Sequence, residues 1–151
     1  MIQLTVPGPP QGKARARTVR RGKFTTTYTP EQTVAYENKV RKAYWDKYGN
    51  HSAFPAKAHV NIDIVAYYPI PKSASKTKRA QMLSREIRPT VKPDADNVIK
   101  IICDALNPGL EFNGAWRDDA QVVDVSFGKW YSDVPRVEVI IKEAAYEHQS
   151  K

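Results

Sequence analysis

Between Lys92 and Lys129 the chain is punctuated in a way that leaves few folds open. Pro93 biases Lys92 toward extended backbone, and a helix is expected to start around Asp94–Asp96. From there Val98, Ile101, Ile102 and Ala105 recur at helical spacing, and Leu106-Asn107-Pro108-Gly109 ends the pattern. After a loop, Gln121-Val122-Val123-Asp124-Val125-Ser126-Phe127 reads as a strand. On a helical wheel, Asp96, Lys100, Cys103 and Asn107 face away from the apolar stripe. Burying the stripe therefore aims Asp96 and Lys100 together into an open cleft. Carboxylates stand at the start of the helix (Asp94, Asp96) and just before the strand (Asp118, Asp119).

Each of these acids has an ordinary explanation. Asp94, Asp96 or Asn97 can cap the helix, and an Asp96–Lys100 pair would be worth only a few tenths of a kcal/mol. Capping needs one such residue, however, not all of them. Asp118 and Asp119 are adjacent like charges, tolerated either as solvated loop residues or beside a metal ion.

The surrounding chain makes the acids conspicuous. The 151 residues carry 24 Lys+Arg against 16 Asp+Glu, a formal charge of +8 and a pI near 9.6. That excess points to an anionic partner, with nucleic acid the leading candidate. Acids gathered in a basic chain suggest a divalent-metal site facing a polyanion, and Mg²⁺-dependent phosphodiester cleavage is the reaction this implies. The length suits a single domain with its own core. One cysteine, Cys103, excludes an internal disulfide framework and a thiolate zinc cluster, and suits a buried position in a protein of a reducing cytoplasm. No run of about 18 apolar residues predicts a membrane span, and the N-terminus lacks a signal-peptide layout. A cytoplasmic protein is expected, with no membrane partner.

Elsewhere, alternation predicts a strand over Ile2–Val6, closed by Pro7-Gly8-Pro9-Pro10, and a second over about Ala58–Tyr68. Lys13, Arg15, Arg17, Arg20, Arg21 and Lys23 follow one another without an acid, and Arg15 and Arg17 alternate as on one strand face. Residues 13–28 are read as a basic hairpin or flexible arm for phosphate, the alternative being a solvated loop. Thr29-Pro30-Glu31-Gln32 predicts a capped helix start, with Pro30 as first helical residue and Gln32 completing a capping box. Tyr36, Val40, Ala43 and Tyr44 form its buried stripe, and Gly49-Asn50 ends it. A second basic segment, 72–92, carries Lys76, Lys78 and Arg79, with Ser73 or Ser75 as the cap of a short helix. It reads either as a phosphate-tracking face or as a wet surface helix.

Three ordered blocks then stand out: Pro93-Asp94-x-Asp96-Asn97-x-x-Lys100, Asp104-Ala105-Leu106-Asn107, and Asp118-Asp119-x-Gln121-Val122-Val123, with Lys129 at the strand's end. In these the chain resembles the RusA-type Holliday junction resolvases, homodimeric endonucleases that cut four-way DNA junctions with Mg²⁺ or Mn²⁺. The resemblance implies Asp94, Asp96 and Asp119 as metal ligands, Lys100 as the catalytic lysine and Asp118 as an auxiliary acid. It also implies a homodimer acting on four-way or branched DNA. The loop Pro108–Ala115 is longer than the family's usual turn, and Glu111 within it is an extra ligand or a surface residue. Such chemistry needs no histidine base from His51, His59 or His148.

Two rival functions use part of this inventory. A non-catalytic junction-binding protein needs the basic segments and has no use for the carboxylates. A metal-dependent nucleotide hydrolase needs the carboxylates and little of the basic arm. The expected architecture is α+β: one mixed sheet of strands near Ile2–Val6, Ala58–Tyr68, Gln121–Trp130 and Arg136–Lys142, with two helices packed on it.

Overall fold

Strand alternation and two amphipathic helices organise the chain. The computed structural model describes residues 1–144. In chain order its elements are β1 (Ile2–Pro7), β2 (Arg17–Arg21), β3 (Phe24–Tyr28), α1 (Glu31–Tyr48), β4 (Val60–Pro69), α2 (Lys76–Leu83), α3 (Ala95–Leu106), β5 (Val122–Ser132) and β6 (Arg136–Glu143). A single 3₁₀ turn, Asp119–Gln121, leads into β5. Four strands form a mixed sheet in the order β1-β6-β4-β5, and β2 pairs only with β3. β1 and β4 flank β6 antiparallel, whereas β4 and β5 run parallel, Ile62 beside Val125 and Ile64 beside Phe127. A parallel pair cannot be closed by a tight turn, and the crossover here carries α2 and α3. The α+β architecture is as expected, each of the four sheet strands ending within a residue or two of its predicted position.

One face of the sheet is the core. Ile2, Leu4 and Val6 of β1, Val137, Val139 and Ile141 of β6, and Val60, Ile62, Ile64 and Ala66 of β4 point into it. Tyr36, Val40 and Tyr44 of α1 and Val98, Ile101, Ile102, Ala105 and Leu106 of α3 close it from the other side. Each buried branched aliphatic stabilises the fold by about 1.5–3 kcal/mol. This packing holds α3 in place. Its apolar stripe faces the sheet and its polar ridge faces out.

Two local expectations are corrected and one is narrowed. Thr29 does not cap α1 and Gln32 closes no capping box, because Pro30 itself stands immediately before the first helical residue and no side chain caps the helix. Thr29 lies one residue too early. Of the two serines before α2, Ser75 is the cap, its Oγ accepting from the Lys78 amide at 3.2 Å. The Lys13–Lys23 stretch does form a hairpin, but β2 begins at Arg17, so Arg15 and Arg17 do not share a strand. Upstream, the Lys13 amide is bonded to the Asn97 carbonyl at 2.9 Å and the Ala14 amide to Thr33 Oγ1 at 3.4 Å. Strand pairing can begin only beyond those anchors.

The Pro108–Ala115 loop turns on Gly114, where φ is +81° and an added Cβ would lie 2.8 Å from both Pro108 N and the Trp116 carbonyl oxygen. Neither contact is a side-chain end that could swing away. Gly114→Ala is expected to cost about 1–3 kcal/mol. Urea unfolding should show a lower midpoint at unchanged m-value; an unchanged midpoint would show that the loop relaxes freely. Among the described residues, no helix is long and apolar enough to cross a membrane.

Candidate active site

The residues singled out by the sequence lie along the exposed ridge of α3. Asp94 occupies the N-cap position in extended backbone, yet its side chain makes no cap bond. Capping therefore does not account for this carboxylate. It is about half exposed, with Lys92 Nζ 3.9 Å away. The chain before it is tied to the sheet: Tyr68 Oη donates to the Pro93 carbonyl at 2.6 Å, and Lys129 Nζ donates to the Val91 carbonyl at 2.7 Å. Burial, then the charge of Asp94, pushes the Tyr68 hydroxyl up to about 12, so it stays a neutral donor. Asp96, in the first turn, is exposed and has no hydrogen bond or ion pair among the described residues. Both acids sit at a helix N-terminus, where the macrodipole favours negative charge.

One turn on, Lys100 points toward Asp104 rather than Asp96, with Nζ 3.6 Å from Asp104 Oδ2. The Asp96–Lys100 pair that would have explained both residues blandly does not form. Asp104 also meets Lys13 Nζ at 3.3 Å, and the same ammonium donates to Glu37 Oε1 at 3.1 Å. Glu37 is buried, and Arg41 supplies a second cation 3.8 Å from its other oxygen. Lys13, expected on a DNA-facing arm, instead clamps the root of that arm between α1 and α3. The clamp is close-packed: a Cβ at Gly12 would come within 2.9 Å of Pro93 Cβ and 3.1 Å of Asn97 Cβ.

Asp119 is held at the other end of α3. Trp116, fully buried, donates from Nε1 to Asn107 Oδ1 at 2.7 Å, and Asn107 Nδ2 donates to Asp119 Oδ2 at 3.0 Å. This relay leaves Asp119 Oδ1 available. Asp118, expected as an auxiliary acid, has a structural part here. It caps the 3₁₀ turn, its Oδ1 accepting from the Ala120 amide at 2.9 Å, while Gln121 Oε1 accepts from the Arg117 and Asp118 amides. Cys103 is buried on the same side of α3, and burial, with the charges of Asp119 and Asp104, pushes its thiol up to about 12. It is thus a protonated packing group. Glu111 lines a groove with Asn38, Lys42, Trp45 and Asp46 of α1. His148 lies outside the described residues.

The three carboxylates do not converge. Asn107, the anchor of Asp119, is about 16 Å along the helix axis from Asp96 at 1.5 Å per residue. Among the described residues, no three His, Cys, Asp or Glu side chains lie close enough to hold a metal ion by themselves. All-oxygen donors nonetheless suit a hard cation, and Mg²⁺ is commonly held by one or two carboxylates plus substrate phosphates and waters rather than by a protein cage. In that respect the donor set fits.

Further cations are exposed on the neighbouring elements. Arg20, Arg21 and Lys23 are exposed on the hairpin, Arg15 on its root, and Lys76, Lys78 and Arg79 on α2. Beyond α2, the Arg85 and Arg88 guanidiniums lie 4.6 and 3.7 Å from the centre of the Trp130 ring, and Arg88 Nε donates to the Lys129 carbonyl. Sequence reasoning missed the Trp116–Asn107–Asp119 relay and the Lys13–Glu37–Asp104 clamp. Asn107 and Asp104 do stand in the second of the ordered blocks, which was the available signal.

Comparisons with known proteins bear on the family of the chain. A match to the endodeoxyribonuclease RusA family spans residues 7–142. The chain is also 35% identical to the uncharacterized protein YqaN of Bacillus subtilis (strain 168), over 95% of this chain and 97% of that protein. With β4, β5, all but the last residue of β6 and the whole of α3 inside the match, the chain belongs to the RusA endodeoxyribonuclease family.

Proposed function

We propose that the protein is a structure-selective endodeoxyribonuclease that resolves Holliday junctions by paired, Mg²⁺- or Mn²⁺-dependent nicking during DNA recombination and repair. The observation that carries this reading is the grouping on α3. Two carboxylates without capping duties, Asp96 one turn and Asp94 nearly two turns before Lys100, share this end of the helix, and a basic hairpin is rooted on the same helix start. A DNA-binding protein without catalysis would gain nothing from carboxylates beside phosphate. A nucleotide hydrolase would gain nothing from an extended basic arm.

Asp94 and Asp96 at one end of α3 and Asp119 at the other are the residues that would hold one or two metal ions, which would polarise the phosphate and lower the pKa of an attacking water. The chain's own groups do the rest. Lys100, exposed and half-committed to Asp104, offsets the negative charge that develops on the phosphate. The Asn107 relay keeps Asp119 oriented. Arg15, Arg17, Arg20, Arg21, Lys23, Lys76, Lys78 and Arg79 neutralise backbone phosphates and set the register of the DNA. Lys13 acts from beneath, by fixing the arm's root.

Resolution needs symmetric nicks in two strands, and each chain carries one acidic ridge. A homodimer with closed two-fold symmetry supplies the second. The test is a synthetic four-way junction incubated with the protein, with and without Mg²⁺, alongside sedimentation equilibrium. Paired nicks that need Mg²⁺, from a dimer, are expected. Binding without cleavage, cleavage of free nucleotides only, or a monomer making uncoordinated nicks would each overturn the reading.

A further inference from the structure

The hairpin carries one residue that phosphate binding does not use. β2 and β3 pair with each other and with no other strand, so at about 3.3 Å per residue their five paired positions extend the arm by about 16 Å. That is roughly five base-pair steps at 3.4 Å each. At its tip, after the two-residue turn Gly22-Lys23, Phe24 is 78% exposed. Its cross-strand partner is Arg21, and on the same face the next pair is Val19 with Thr26; Val19 is also exposed. The opposite face carries Arg20 beside Thr25, and Thr18 beside Thr27, whose hydroxyls lie 3.4 Å apart. The arm thus has one polar face with Arg20 and one mixed face, where Val19 and Phe24 stand among Arg21 and Thr26 and the aromatic ring lies at the tip.

Scattered exposed apolar residues are ordinary. Phe24 differs because it sits beside the turn of an arm that pairs with no strand of the main sheet, flanked by Arg20, Arg21 and Lys23 and no acid within the hairpin. Electrostatics presses such a tip against nucleic acid. An intact duplex offers phosphates to the cations and nothing to the ring, since its bases are stacked. A branch point offers base pairs whose stacking is interrupted on one side, and aromatic side chains stack on such exposed base faces, while apolar wedges open base steps. The arm's root is clamped to α3 beside Asp94 and Asp96 through Gly12 and Lys13. A tip seated in the branch point would therefore set how far from it the carboxylate ridge meets the strand.

We propose that Phe24 is a specificity-determining wedge that stacks on the open base pair at the centre of branched DNA. The cations around it bind phosphate without regard to branching. This rests on the reading of the protein as a junction nuclease.

The test uses a four-way junction and a linear duplex of the same sequence, each with 2-aminopurine at the position of the branch point, in EDTA so that no strand is cut. Wild-type protein is expected to raise the fluorescence of the junction, not of the duplex. Phe24→Ala should abolish that rise and lower the junction-over-duplex affinity ratio about tenfold at unchanged duplex affinity. Phe24→Trp should retain both. Arg20→Gln/Arg21→Gln/Lys23→Gln should weaken both substrates alike and flatten the slope of log affinity against log salt by about 2.7 if all three cations reach phosphate. If Phe24→Ala keeps the rise and the ratio, or loses duplex and junction affinity equally, the wedge is wrong while the nuclease reading stands. If wild-type protein shows no preference for the junction, the nuclease reading itself falls and takes the wedge with it.

Discussion

Asp94→Asn, Asp96→Asn and Asp119→Asn are each expected to reduce junction cleavage at least about a thousandfold, equivalent to about 4 kcal/mol of activation free energy, with junction binding intact or tighter. The structure explains why these substitutions isolate charge from folding. Asp96 has no partner to lose among the described residues. Asparagine is as good a residue as aspartate at the N-cap position that Asp94 occupies. At Asp119 an amide oxygen can still accept from Asn107 Nδ2, so the relay from Trp116 survives. Thermal stability should change little in all three. Binding gains because a negative charge is removed from beside the phosphates. Single-turnover cleavage and gel-shift affinity on one junction check the pair of effects. Full activity in any variant would remove that residue from the site, and loss of binding together with cleavage would mean that it holds the DNA rather than the metal.

Lys100→Ala is expected to slow cleavage about a hundredfold, or about 2.7 kcal/mol, with the Mg²⁺ concentration at half-maximal rate unchanged. An ammonium is no metal ligand, but it can stabilise charge that appears only in the transition state. The ion pair with Asp104 is not what the variant tests, because the Lys100 side chain is 63% exposed and exposed pairs at this spacing contribute only about 0.3–0.5 kcal/mol. Asp104 also keeps Lys13. Lys100→Arg should recover part of the rate. A collapse in metal affinity, or an unchanged rate, would reduce Lys100 to a surface residue paired with its neighbour.

Short-range pattern was sufficient for much of this protein. The strands follow from alternation, α3 from its 3.6-residue stripe between Pro93 and Pro108, the end of α1 from Gly49, and the cap of α2 from a serine three residues before Lys78. These signals are legible because the residues that create them are neighbours along the chain. The acidic blocks were legible for the same reason, and with them the family. Where local reading failed, at Thr29 and at the start of β2, a competing neighbour or a distant anchor decided the outcome.

What the tertiary structure alone decided is how residues far apart in sequence meet. Lys13 looked like any other arm cation until folding brought it against Glu37 and Asp104. Asn107 read as a helix stop, yet it links Trp116 to Asp119. The sheet order β1-β6-β4-β5 pairs the two ends of the chain, which no local period encodes. Whether Asp94, Asp96 and Asp119 form one cluster or lie along a helix depends on where the long loop returns, and it returns at the C-terminal end of α3. Sequence alone determined which residues carry charge and which faces must be buried, because those follow from side-chain chemistry and backbone periodicity. Packing decided which charges are neutralised within the chain and which stay open to solvent, because that depends on contacts between segments whose separation along the chain carries no signal.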